Sequence, residues 1–210
     1  MVDVSRTKLF PTSIYTFKSG LDDHHKSMID SIVGDLKINY KDIQNGKAVP
    51  FGLFQGRDNL QEDNSFKPFT DFVSHLCGGI LNQEGYENQK IEITQMWANQ
   101  QVDSSVHPPH THANSILSGV YYLKSTSNTA GTQFFDPRAQ AKVFIPRRAN
   151  QNMDNSHMYQ VPSATGTGVI FPSWLQHWVP TNTDERITIS WNIIVRGNYG
   201  EPQTLQNANI

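Results

Sequence analysis

Cysteine is nearly absent: Cys77 is the one thiol in 210 residues, so no disulfide can close within the chain and no cysteine cluster can hold zinc. Cys77 is expected as a small, buried apolar side chain. Long apolar runs are also missing. No window approaches the ~18 apolar residues of a membrane span, and the opening MVDVSRTKLFPTSIYTF lacks the apolar stretch of a signal peptide. The expectation is a soluble, cytoplasmic protein without a membrane partner. Charge of one sign is scarce too. The chain has 17 Lys and Arg against 19 Asp and Glu, a formal net charge of -2, and no sustained basic run. Nothing therefore indicates a nucleic-acid partner. Internal repeats and low-complexity tracts are lacking, and the length suits one domain.

What is present divides into two textures. In SGLDDHHKSMIDSIVGDLKINY, Asp22 and Asp23 mark a helix start, and Met28, Ile29, Ile32, Val33 and Leu36 recur at helical spacing. His24 and His25 fall in its first turn and read as a solvated helix end. Residues 41 to 65 read as loop with a short strand. A second helix is expected over FKPFTDFVSHLCGGI, with Phe69, Phe72, Val73, Leu76 and Cys77 as its apolar stripe, His75 on its surface, and Gly78 and Gly79 ending it. From Lys90 onward short β-rich runs take over: IEITQMWA, SILSGVYYLK, TQFFD, KVFIP, GTGVIFP and RITISWNIIV. Such spacing predicts an antiparallel sandwich or barrel beside two helices, with a helical flank over about 1–89 and a β core over about 90–197 of a single domain.

The stretch HPPHTHANSILSGVYYLK crowds His107, His110 and His112 into six positions. Residues two apart on a strand share a face, so His110 and His112 put both imidazoles on one side, and unbroken parity adds Asn114, Ile116, Ser118, Val120 and Tyr122, provided Gly119 makes no bulge. An HxH pair alone is a weak metal signal. At the other end of the β region, GTGVIFPSWLQHWVPTNTDERITISWNIIV offers His177 and then a strand on which Arg186, Thr188 and Ser190 face one side while Ile187, Ile189 and Trp191 face the other. A closed β core would let both polar sets meet in one cavity.

An HxH strand start, a YYL strand, the segment GTQFFDPR, a distal histidine and an arginine nine residues after it (186 minus 177) together resemble the 2-oxoglutarate and iron(II)-dependent oxygenases, in their prolyl-hydroxylase-like branch. The likeness covers about residues 90 to 195. It implies a double-stranded β-helix, a jelly roll of cupin-like architecture, that holds iron(II) between two sheets and uses 2-oxoglutarate and O2 to hydroxylate a C–H bond with release of succinate and CO2. Carried over residue by residue, it makes His110 the first metal ligand, His177 the distal ligand, and Arg186 the cation that meets the far carboxylate of 2-oxoglutarate. Tyr122 and Thr188 fall where relatives place further hydrogen-bond donors to that carboxylate.

The sequence departs from this pattern at His112, where the superfamily carries Asp or Glu. Three histidines can still occupy one face of an octahedron, so His112 is expected as the third metal ligand, at a site more positive by one charge and more open to zinc. Asp136 is a weaker alternative without a spacing argument. Trp97, Trp174 and Trp178 lie near the motifs and read as core before cleft, and Trp191 reads as core. A cupin-type metal protein that does not use 2-oxoglutarate is the competing reading, since Gly166, Pro172 and His177 keep step with a cupin motif. Trp174, Ile116 and Leu117 break that step, and Asn182 comes one position late. A small-molecule or peptidyl substrate fits either reading, and homo-oligomerisation stays open.

Overall fold

The computed structural model describes residues 3–44, 50–87, 90–138 and 143–210. Helix α1, His25–Gln44, follows a short 3-10 turn over Asp22–His24, so it takes in the first residues of the stretch read as loop. Its Met28, Ile32 and Leu36, four residues apart, are buried, whereas Val33 on the expected face is 37% exposed. Helix α2, Lys67–Gln83, carries Pro68 in its first turn, where a missing N–H costs nothing. Its buried stripe is Phe69, Val73 and Cys77, and His75 is exposed as expected. The helix does not stop at Gly78 and Gly79. Ile80 and Leu81, both buried, continue the stripe, and their burial outweighs the ~1 kcal/mol that a helical glycine costs. Gly78 also allows a close approach, since a Cβ there would lie 3.3 Å from Ile91.

Two sheets follow from the β-rich half. The larger has the strand order β1 (Tyr15–Lys18), β8 (Thr167–Pro172), β5 (Leu117–Lys124), β10 (Arg186–Arg196), β3 (Lys90–Gln101) and β2 (Leu53–Gln55). The smaller runs β4 (His107–His110), β9 (His177–Val179), β6 (Thr132–Phe135) and β7 (Met158–Val161). A terminal pair, β11 (Asn198–Tyr199) with β12 (Ala208–Asn209), stands apart. All pairings in these sheets are antiparallel. The run KVFIP forms no strand over its described residues: Val143, Phe144 and Ile145 are exposed, and β7 already takes the edge of β6 that such a strand would extend. Lys142 lies outside the described residues.

Alternation along β5 and β10 assigns the two faces of the large sheet. Leu117, Tyr121, Leu123, Ile187, Ile189, Trp191 and Ile193 join the core beneath the helices, together with buried Cys77, whose thiol burial pushes up to about 12. Gly119 makes no bulge; a Cβ there would sit 2.1 Å from the Trp191 ring, so only glycine lets the indole lie flat on the sheet. The opposite face carries Val120, Tyr122, Val169 and Phe171, which meet Phe134 and Val161 of the small sheet. One correction falls on the helical side. His25 is not a solvated helix end, because its Nε2 reaches the Tyr121 hydroxyl at 2.5 Å, and its side chain is 13% exposed.

Candidate metal centre

Strand β4 begins the site. Its sequence, HPPH, cannot donate backbone hydrogen bonds at two of four positions, which confines it to a sheet edge, and it lies at the edge of the small sheet. His110 pairs directly with His177 on β9, and the two rings stand 4.3 Å apart. The pairing is irregular between His107 and His110, so these two residues, three apart, both turn inward and stack at 4.3 Å. The strand ends at His110. His112 follows in a connection whose Asn114 has a φ of +56°, and the chain then passes to β5 in the large sheet. The His112 amide donates to the Ser173 carbonyl at 2.9 Å, and its ring comes within 5.2 Å of His110 and 5.1 Å of His177. Parity along one strand therefore does not bring His110 and His112 together. Two sheets facing each other across a sharp turn do.

One ring nitrogen from each of His110, His112 and His177 lies within 4.8 Å of the others. Each ring is anchored at Nδ1. His110 Nδ1 meets the Pro108 carbonyl at 2.8 Å, His177 Nδ1 meets the Leu175 carbonyl at 3.0 Å, and His112 Nδ1 meets Asn192 Oδ1 at 2.6 Å. All three partners are acceptors, so each Nδ1 carries the hydrogen and each Nε2 is left with a lone pair. His112 Nε2 is buried without a hydrogen-bond partner. Burial, then the neighbouring His110, lowers the pKa of His177 to about 3, and burial likewise lowers those of His110 and His112. The imidazoles stand neutral and ready to bind a cation.

The far end of the cavity is built by β3 and β10 in register: Gln101 opposite Arg186, Asn99 opposite Thr188, Trp97 opposite Ser190. Arg186, Thr188 and Ser190 are buried and line the cavity, as the alternation on β10 predicts. Arg186 Nη1 donates to Gln101 Oε1, the guanidinium lies 5.0 Å over the Tyr122 ring, and Nε has no partner. Among the described residues no carboxylate pairs with this cation, whose charge burial disfavours. Tyr122 is buried, and its hydroxyl is engaged by Thr132: it donates to Oγ1 at 2.9 Å and accepts from the amide at 3.2 Å.

Asn192 carried no sequence signal, and His107 and Trp97 stood out only by their nearness to the motifs. His107 lines the cavity, and burial, then His110 and Arg186, lowers its pKa to about 3. Asn192 accepts from Ser118 Oγ at 2.8 Å as well as from His112 and donates to Gln95 Oε1 at 3.3 Å. Trp97 lines the site with its ring 5.9 Å from His112. Trp178 is held by Gln133 at 2.8 Å, Trp174 is 55% exposed, and Trp191 is core. Asp136 stands apart from the histidine group, its carboxylate meeting Arg138 at 3.0 Å through each oxygen.

None of the curated proteins matches the sequence. A family model described as "Putative 2OG-Fe(II) oxygenase" matches residues 95–192, a span that contains all three histidines and Arg186. Among solved structures, a prolyl-4-hydroxylase from Pseudomonas putida is similar with a TM-score of 0.60 at 12% identity, over 89% of this chain and 94% of that one. The epimerase SnoN of nogalamycin biosynthesis, described as non-heme and alpha-ketoglutarate-dependent, gives 0.60 at 10% identity, over 92% and 81%. A prolyl hydroxylase from Trichoplax adhaerens, in complex with a hypoxia-inducible-factor peptide, gives 0.57 at 12% identity, over 87% and 83%. The double-stranded β-helix is thus the fold, and residues 95–192 of the β core match the model described as a 2OG-Fe(II) oxygenase.

Proposed function

We propose that this 2-oxoglutarate-dependent iron(II) oxygenase holds its metal through Nε2 of His110, His112 and His177 and receives the distal carboxylate of 2-oxoglutarate on Arg186. The observation that carries the reading is the set of three histidines with one ring nitrogen each within 4.8 Å of the others, taken with the acceptor at every Nδ1 that leaves Nε2 as the lone-pair donor. Three imidazole nitrogens on one face suit a divalent first-row metal and leave positions for a bidentate keto acid and O2. The second support is Arg186, a buried cation whose protein partners are an amide oxygen and an aromatic ring; a ligand carboxylate would complete it. A cupin-type protein without a keto-acid cosubstrate would leave that cation without a counter-ion.

When bound, iron(II) with 2-oxoglutarate and O2 supplies the oxidising power, and the keto acid leaves as succinate and CO2. The protein supplies position and dryness. Phe171 and Phe134 close the space behind His177, with ring separations of 4.5 and 5.8 Å, and keep water from that side of the centre. Asn192, Pro108 and Leu175 fix the ring orientations. Thr188 stands beside Arg186 on the cavity face of β10 and offers a hydroxyl to the same carboxylate, while the Tyr122 ring supports the guanidinium from below. The outcome we expect is hydroxylation of a C–H bond in a small molecule or a peptidyl residue.

The test is thermal unfolding with manganese(II), with and without 2-oxoglutarate, followed by succinate formation with iron(II). A keto acid at a hundred times its dissociation constant should stabilise the protein by roughly 2.7 kcal/mol. No shift with 2-oxoglutarate in the metal-loaded protein would refute the assignment.

A further inference from the structure

Strand β3 carries a row of polar and aromatic side chains, Trp97, Asn99 and Gln101, along the cavity wall from the histidines to Arg186. Its last member is placed unusually. The side-chain oxygen of Gln101 accepts from Arg186 Nη1, and the residue is 1% exposed. That contact fixes the amide, because the opposite orientation would set NH2 against a guanidinium that can only donate. Nε2 must then point away from Arg186, and it is buried with no partner at all. A buried amide nitrogen without an acceptor is costly unless something else fills the place. Arg186 Nε is orphaned in the same way. Two unsatisfied donors thus stand at one end of one cavity, one on each of two facing residues, where a two-oxygen acceptor would satisfy both.

Resting on the function proposed above, we infer that Gln101 is a positioning and recognition residue for the distal carboxylate of the keto acid: Oε1 aims the Arg186 guanidinium while Nε2 donates a hydrogen bond to the ligand. Its role is selective. The amide carries no charge, so it holds Arg186 in place without neutralising it, which a glutamate at the same position would do.

The test is calorimetric binding of 2-oxoglutarate and of 2-oxopentanoate, which has a methyl where 2-oxoglutarate has its distal carboxylate, to manganese(II)-loaded wild type, Gln101→Leu and Gln101→Glu. Gln101→Leu should weaken 2-oxoglutarate binding roughly 10- to 100-fold, the scale of a charge-assisted hydrogen bond, and leave 2-oxopentanoate within about twofold. Gln101→Glu should pair with Arg186, raise the melting temperature of the ligand-free protein, and weaken 2-oxoglutarate at least about 100-fold, since a fixed carboxylate then opposes the ligand's own. Metal affinity should stay the same in all three proteins. If either variant binds 2-oxoglutarate as tightly as wild type, or loses both ligands equally, the role of Gln101 is overturned while the site reading stands. If wild type itself binds no 2-oxoglutarate, the site reading fails and takes the inference with it.

Discussion

Asn192 offers the sharpest test of how the histidine set is prepared. Its Oδ1 accepts from His112 Nδ1 at 2.6 Å and from Ser118 Oγ at 2.8 Å, and its Nδ2 donates to Gln95 Oε1 at 3.3 Å. Asn192→Ala removes the acceptor that keeps the hydrogen on Nδ1 of His112, so the ring is free to turn or to change tautomer. Partners of this kind are worth about 10- to 100-fold in metal affinity, or roughly 1.4 to 2.7 kcal/mol. Ser118 keeps Ser173 at 2.8 Å, so the buried hydroxyl is not stranded and the fold should survive. Asn192→Asp keeps the acceptor and adds a charge behind the imidazole, which should match or exceed wild-type affinity. The assay is competition with a chromophoric chelator for cobalt(II). Unchanged affinity in Asn192→Ala would show that the 2.6 Å contact does not prepare His112 for a metal.

The other expectations rest on the same geometry. His110→Ala and His177→Ala should each lose stoichiometric metal while keeping a folded circular-dichroism spectrum; retention of full metal content in either would remove that residue from the ligand set. His112→Leu should lose metal affinity by a large factor and His112→Asp should keep a site, read by metal content side by side; wild-type affinity in the leucine variant would make His112 a bystander. Arg186→Ala should weaken 2-oxoglutarate by roughly 1.5–3 kcal/mol with metal content nearly unchanged, and equal loss of both would mark a structural role. The metal-free protein should lose stability in acid. His107 and His177 sit at about 3, below their ordinary 6.5, so the unfolded chain binds more protons than the folded one between those values, and stability falls as pH drops through that window. A melting temperature flat from pH 7 to 5 would contradict this burial.

How much of this was legible depended on whether the backbone obeyed its period. Strand β10 did, and alternation alone separated Arg186, Thr188 and Ser190 from Ile187, Ile189 and Trp191. The convergence of His110 and His112 was anticipated by a route the chain does not take, since β4 ends at His110 and a left-handed Asn114 carries the chain to the other sheet. His107 was invisible to parity because the two prolines leave β4 irregular and turn residues 107 and 110 the same way. Asn99 and Gln101 gave no signal for a different reason. Polar residues alternating along a strand read as a solvated face, and only the facing sheet shows that this face is interior. Gly78 and Gly79 misled in the opposite direction, because local propensity yields to the burial of the residues that follow them.

Histidine at position 112 has a consequence for the whole cavity. Among the described residues that line it, none is acidic, and Arg186 occupies one end. With a divalent metal on neutral imidazoles, the protein and metal together present three positive charges. A dianionic keto acid neutralises two and leaves one, whereas a carboxylate in the ligand set would bring the sum to zero. In a dry cavity that residual charge is weakly screened, because Coulomb energies rise several-fold as the effective dielectric falls from ~80 to ~20. Neutral ligands lower the attraction for the metal and raise it for the dianion. On the proposed ligand set, histidine at position 112 therefore favours the keto acid, and Asn192, Gln101 and Tyr122, all uncharged, contact His112 and Arg186 without offsetting that balance.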